Sequence, residues 1–168
     1  MAFPWQPVQA YKYAGYRWGG SFPKVGANTS GLLINAWRTS ASDAIGSWNN
    51  AGAQFNFYSQ DGSANKMGYY YEQSDVLAYA KTYRRYVFSG DIVKAEIYVN
   101  NFHNFNPPYT SGAWHDLRTV RRHEYGHWLR LDHSQVQAAV MYYAIPHNTV
   151  KNLAADDING TRYIYGAR

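Results

Sequence analysis

Between Thr29 and about Asn50, in "TSGLLINAWRTSASDAIGSWNN", the apolar residues Leu33, Ala36, Trp37, Ala41, Ala44, Ile45 and Trp48 fall three or four apart. That period predicts an amphipathic helix, stopped near Gly52. On either side the period changes. "GYRWGG" at 15–20 reads as a short strand, and "AQFNFYS" at 53–59 alternates Phe55 and Phe57 with Gln54 and Asn56, as a half-buried strand does. "MGYYYEQ" (67–73), "VLAYAKTYRRYVF" (76–88) and "DIVKAEIYVNN" (91–101) are rich in Tyr, Val and Ile and predict three more strands. "SQDGSAN" (59–65) and "SGD" (89–91) are turns by composition. The Pro-rich "NNFHNFNPPYTSGAW" (100–114) predicts a loop leading into a second helix from Asp116 to Leu129, and "LAADDINGTRYIYG" (153–166) keeps near-helical spacing to its end.

Nothing in this pattern divides the chain. With 168 residues and 46% hydrophobic content, residues 1–168 are expected to form one domain with a core that needs no staple. No apolar run reaches the roughly 18 residues of a membrane span, and "MAFPWQPVQAYKY" lacks a signal-peptide pattern, so the expectation is a soluble chain, trimmed or never targeted, without a membrane partner. The net charge of +5 comes from scattered Lys and Arg and no nucleic-acid module signature, so nucleic acid is not expected as a partner. There is no cysteine, which excludes disulfides, thiolate metal sites and cysteine nucleophiles. Any metal must sit on His, Asp or Glu. "SQDGSAN" lacks the carboxylates of a calcium loop, so calcium has no support there.

The chemistry concentrates in "RRHEYGHWLRLDH" at 121–133. On a helix, residues four apart face the same way, so His123 and His127 can aim their imidazoles at one cation, with Glu124 beside them. His133, six residues after His127 and past the expected helix end, can be the third ligand. Three neutral imidazoles leave zinc its full charge and an open position for water, whose pKa falls to about 7. Glu124 can then take the water's proton and pass it to a leaving amine, which is peptide-bond hydrolysis.

The run "HEYGHWLRLDHSQVQAAVMYY" resembles the metzincin metalloproteases, whose signature is H-E-x-x-H-x-x-G-x-x-H followed by a methionine turn. "LDHS", the interval to "AVM" and the ending "DDINGTRYIYG" are similar to the matrixin branch, as are "VLAYA" and "AEIYVNN". The resemblance implies a twisted, mixed, mostly parallel five-stranded sheet with three helices in an α/β (α+β) domain. It implies one catalytic Zn2+ on His123, His127 and His133, with Glu124 as general base and acid. Met141 would form the floor beneath the imidazoles, and Tyr143 would ligate the metal or help the oxyanion. Tyr142, Ala144 and Ile145 would wall, with Tyr143, the pocket for the side chain after the cut bond, while Leu77, Ala78, Tyr79 and Ala80 would pair with an extended substrate backbone. Asp156 and Asp157 would anchor the last helix to the methionine turn or the chain start. A secreted monomer acting on proteins or peptides follows from the same resemblance, its latency controlled by a separate propeptide or inhibitor.

The chain departs from the family at several points. The His-x-Asp stretch of a second, structural zinc site has no match, so one zinc is expected, with His103, His115 and His147 as ordinary loop histidines. Arg130 stands where the family has glycine at a turn of positive φ, which raises the question of whether His133 still reaches the metal. Arg121 and Arg122 precede the first histidine where relatives carry small or apolar residues, and Arg122 is expected to snorkel outward or meet Asp116, Asp156 or Asp157. Two other classes remain open: a metzincin-fold peptide binder that Arg130 has silenced, and an aromatic-rich glycan-binding protein with incidental histidines.

Overall fold

The computed structural model describes residues 11–85, 91–107 and 112–168. In chain order they form β1 (Lys12–Tyr13), β2 (Lys24–Ala27), α1 (Asn35–Asn49), β3 (Asn56–Ser59), β4 (Lys66–Tyr70), β5 (Ala78–Arg84), β6 (Ile92–Asn100), β7 (Phe105–Asn106), β8 (His115–Asp116), α2 (Leu117–Trp128), β9 (Leu131–Asp132) and α3 (Ala155–Tyr165). β2 runs parallel to β3 and β4 parallel to β6, while β5 is antiparallel to β6 at the end of the order β4-β6-β5. The two units meet at one parallel bridge, Asn28 to Lys66. The result is the expected mixed α/β architecture with three helices. Its five longer strands form a pair and a trio joined at that bridge, not one continuous ladder.

Local chemistry explains where the elements differ from the sequence pattern. α1 starts at Asn35, not Thr29, because Asn28 accepts from the Ser30 backbone N–H at 2.9 Å and Leu32 N–H bonds Thr29 at 2.9 Å, holding that stretch in turns. Leu33 is consequently 73% exposed. "GYRWGG" makes only the Trp18–Ile92 bridge; the parallel strand lies later, at Lys24–Ala27, where Gly26 interrupts any alternation. The 59–65 turn is present, with Gly62 at φ 84. Ser89 and Gly90 of the other predicted turn lie outside the described residues.

The core positions α2. The α1 stripe of Trp37, Ala41, Ala44, Ile45 and Trp48 is buried, and Trp48 Nε1 donates to Arg122 O on α2 at 2.9 Å. Gly126 permits that approach: a Cβ there would stand 2.1 Å from Met141 Sδ and 3.0 Å from Trp48 Cζ2. α2 is capped by Asp116, whose buried carboxylate accepts from Thr119 N–H and Oγ1 at 2.7 Å each. α3 is tied down by its acids. Asp157 accepts from Val140, Met141 and Ala154 N–H at 2.9, 3.0 and 2.7 Å, and Asp156 from Tyr11 N–H at 3.1 Å and Ser134 Oγ at 2.6 Å.

Candidate metal centre

α2 carries His123 and His127 on one face, and their Nε2 atoms lie 3.1 Å apart. The chain turns at Arg130, returns through β9 against β1, and brings His133 Nε2 to 3.2 Å from His123 Nε2. Arg130 makes that turn at φ 71, the left-handed conformation the family glycine would supply. Its side chain is held: Nη1 donates to Thr82 Oγ1 at 2.8 Å and the guanidinium lies 3.8 Å from the Tyr16 ring centroid. Just past β1, Ala14 N–H donates to Arg130 O at 3.1 Å. The arginine therefore leaves the return path of the chain intact.

The imidazoles are set for metal. His123 Nδ1 meets Val140 O and His127 Nδ1 meets Leu131 O, each at 2.8 Å. A carbonyl only accepts, so both Nδ1 atoms carry the hydrogen and both Nε2 lone pairs face inward. Burial, together with neighbouring imidazoles, presses His123 to a pKa of about 3 and His127 to about 4, so both are neutral at pH 7. Converging lone pairs this close repel unless a cation lies between them. Zinc bonds of 2.0–2.1 Å at tetrahedral angles require nitrogens about 3.3 Å apart, so the three residues fit zinc.

Glu124 is buried beside them, with Oε2 unpartnered, and burial raises its pKa to about 8 against the pull of Arg121. Met141 is buried beneath Gly126, and Ser134 N–H bonds Met141 O at 2.8 Å, closing the turn under the site. A cleft of about 750 Å³ runs past these groups. Leu77, Ala78, Tyr79 and Ala80 line one side, the end strand β5 contributing the last three; Tyr143, Ala144 and Ile145 line the other. Tyr143 is 68% exposed. Tyr142, expected in the same wall, is not among the lining residues: its ring packs on Tyr143 at 4.5 Å, with Lys151 Nζ 5.0 Å from its centroid.

Two findings escaped the sequence pattern. His103, His115 and His147 also line this cleft, although three separate segments supply them and no spacing links them. Arg121 is fully buried with no hydrogen-bond partner for its three guanidinium nitrogens among the described residues, and burial lowers its pKa to about 10. Arg122 neither snorkels nor bonds a carboxylate: it is 8% exposed and donates to Ser47 Oγ at 2.9 Å and Lys151 O at 2.8 Å.

Among known proteins, the chain is 37% identical over 110 residues to Metalloendoproteinase 1 of Glycine max, covering 65% of this chain and 32% of that protein. It is 45% identical over 53 residues to Metalloendoproteinase 2-MMP of Arabidopsis thaliana (31% of this chain, 14% of that one) and 41% identical over 54 residues to Matrix metalloproteinase-9 of Canis lupus familiaris (32% and 8%). The matches thus span a third or less of each relative's length. The model of the peptidase M10 family, the matrixins, matches residues 25–166, and with its histidine centre and methionine turn the chain belongs to that family.

Proposed function

We propose that this chain is a zinc-dependent endopeptidase, folded as one domain over 1–168 and acting as a secreted monomer on proteins or peptides. The observation that carries the reading is the convergence of three imidazoles, with His123 Nε2 3.1 Å from His127 Nε2 and 3.2 Å from His133 Nε2, the first two rings being oriented by backbone carbonyls. His123, His127 and His133 hold the metal. Zinc bound there supplies a Lewis acid that polarises the scissile carbonyl and acidifies the attacking water. Burial alone keeps Glu124 protonated, and a divalent charge beside it would return it to the carboxylate, which takes a proton from that water and delivers it to the leaving amine as the C–N bond breaks, giving a carboxylate and an amine. The β5 edge pairs with extended substrate, its other edge being spent on β6. Ala144 and Ile145 wall the pocket for the residue after the cut, and the exposed Tyr143 hydroxyl assists the oxyanion. Latency rests on a propeptide or a separate inhibitor.

The silent-binder alternative drew on Arg130; the preserved left-handed turn favours turnover instead. The test is hydrolysis of a fluorescence-quenched peptide library with zinc, with chelator, and with Glu124→Ala. Expected is turnover abolished by chelator and lowered by about 10²–10⁴-fold in Glu124→Ala, which keeps one equivalent of zinc. Wild-type rates equal to Glu124→Ala at every zinc level would overturn the reading.

A further inference from the structure

All six histidines of the chain line one cleft, and the proposed mechanism uses only three. The others form a cluster of their own. The rings of His115 and His147 are 4.1 Å apart, and His103 is 5.8 Å from His115, with Phe105 6.4 Å behind both His103 and His115. The segments bearing His115 and His147 are zipped together: Asn148 N–H donates to Trp114 O at 2.8 Å, and Trp114 N–H to Asn148 Oδ1 at 3.3 Å.

The hydrogen-bond pattern repeats that of the ligand trio. His103 Nε2 spends its hydrogen on Ser74 O at 2.9 Å, leaving Nδ1 a lone pair. His115 shares a hydrogen bond with the Ile145 backbone through one nitrogen, while its Nδ1 is buried with no partner, in a residue only 8% exposed. A buried acceptor without a donor is a rare cost in a folded protein, and a cation removes it. Burial first, then His147 and His103, press His115 to a pKa of about 4, so it offers a lone pair and not a charge at pH 7. Asp75 adds a carboxylate to the same lining. Imidazoles backed by carbonyls select borderline divalent cations.

We propose that His103, His115 and His147 form a second, weaker site for a divalent transition cation such as zinc, and that filling it obstructs the cleft. It is the weaker site because, among the described residues, only His123, His127 and His133 bring three donor atoms within 4.8 Å of one another. His147, exposed at the rim, must turn inward to complete the second set. The binding claim stands by itself; the obstruction claim rests on the endopeptidase reading.

The test starts from the full chain loaded with one equivalent of zinc, then dialysed against rising free zinc with elemental analysis of the protein. A second equivalent is expected, its affinity falling at least about tenfold in His115→Ala and in His147→Ala. The second variant, altered at an exposed position, keeps the test valid if the first fails to fold. His123→Ala should lose the tight event and keep the weak one. Saturation at one equivalent up to about 1 mM free zinc, or a second event unchanged in both variants, would overturn the site. Peptide hydrolysis should fall as the second equivalent binds; if hydrolysis holds steady there, obstruction is wrong. Absence of hydrolysis at one equivalent would instead sink the endopeptidase reading and leave the stoichiometry to decide the site.

Discussion

Replacing Arg130 by glycine restores the family residue, and the structure says the protein should lose stability by it. The left-handed φ of 71 costs a side-chain-bearing residue about 1–2 kcal/mol, which glycine recovers, less about 0.5–1 kcal/mol for its freer unfolded chain. Against that gain stand two contacts. The charged hydrogen bond to Thr82 at 2.8 Å contributes about 1.5 kcal/mol and the stacking over Tyr16 about 1 kcal/mol. Arg130→Gly should therefore be less stable by about 1–2 kcal/mol, and Arg130→Ala, which loses both contacts and keeps the strain, by about 2–3 kcal/mol. For a chain of this size those losses lower Tm by about 2–8 °C in the glycine variant and about 4–12 °C in the alanine variant. Urea unfolding of the chelated proteins, with thermal scans alongside, gives the order. Zinc affinity should change little in the glycine variant, since β1 and β9 also hold the return to His133. A glycine variant more stable than wild type, or an alanine variant equal to it, would refute the compensation.

Arg121→Met removes a buried cation that has no hydrogen-bond partner among the described residues but draws the Glu124 pKa down, so the acid limb of peptide hydrolysis should move to higher pH in the variant; an unchanged pH profile would count against that contact. Asp157→Ala should cost about 3–5 kcal/mol by stripping three backbone N–H groups of their acceptor, and should weaken zinc about 10–100-fold by loosening the Val140 carbonyl that orients His123; competition with a chromophoric chelator reads the second effect. Glu96 has its pKa lowered, first by the Lys94 hydrogen bond and also by that from Tyr83. Its ionised form is thus favoured in the fold, so this stability is present above the ordinary carboxylate pKa and lost as pH falls through the lowered one. Glu96→Gln should flatten that acid limb in unfolding measured from pH 6 downward, and an unchanged slope would count against the pairing.

The helix of the metal site was legible from the four-residue spacing of His123 and His127 and the resemblance around them; an apolar stripe could not have marked it, because ten of its twelve residues are buried, Arg121 and Arg122 among them. The positive φ at Arg130 was legible too, since the geometry belongs to the turn whatever residue occupies it. α1 was read six residues too early because apolar Leu33 fits a helical stripe, and an Asn28–Ser30 side-chain bond that decides otherwise leaves no periodic trace. β2 escaped because four residues around Gly26 carry no alternation. The second histidine cluster could not be read, for its members come from three segments whose meeting depends on long-range packing. Tyr142 and Tyr143 looked alike in sequence, and their rings pack together at 4.5 Å, yet of the two only Tyr143 lines the cleft.

A strand end that can take up any extended peptide can also take up its own twin. β5 ends its sheet over seven residues, long enough to template pairing between two molecules. Its sequence works against that outcome: Lys81 and Arg84 put charge on the strand, and the register shift at Tyr83/Arg84 breaks the straight run a growing ladder needs. On the proposed reading the same edge takes a short guest in the cleft, while its charges and its bulge oppose the runaway association that would end in fibres.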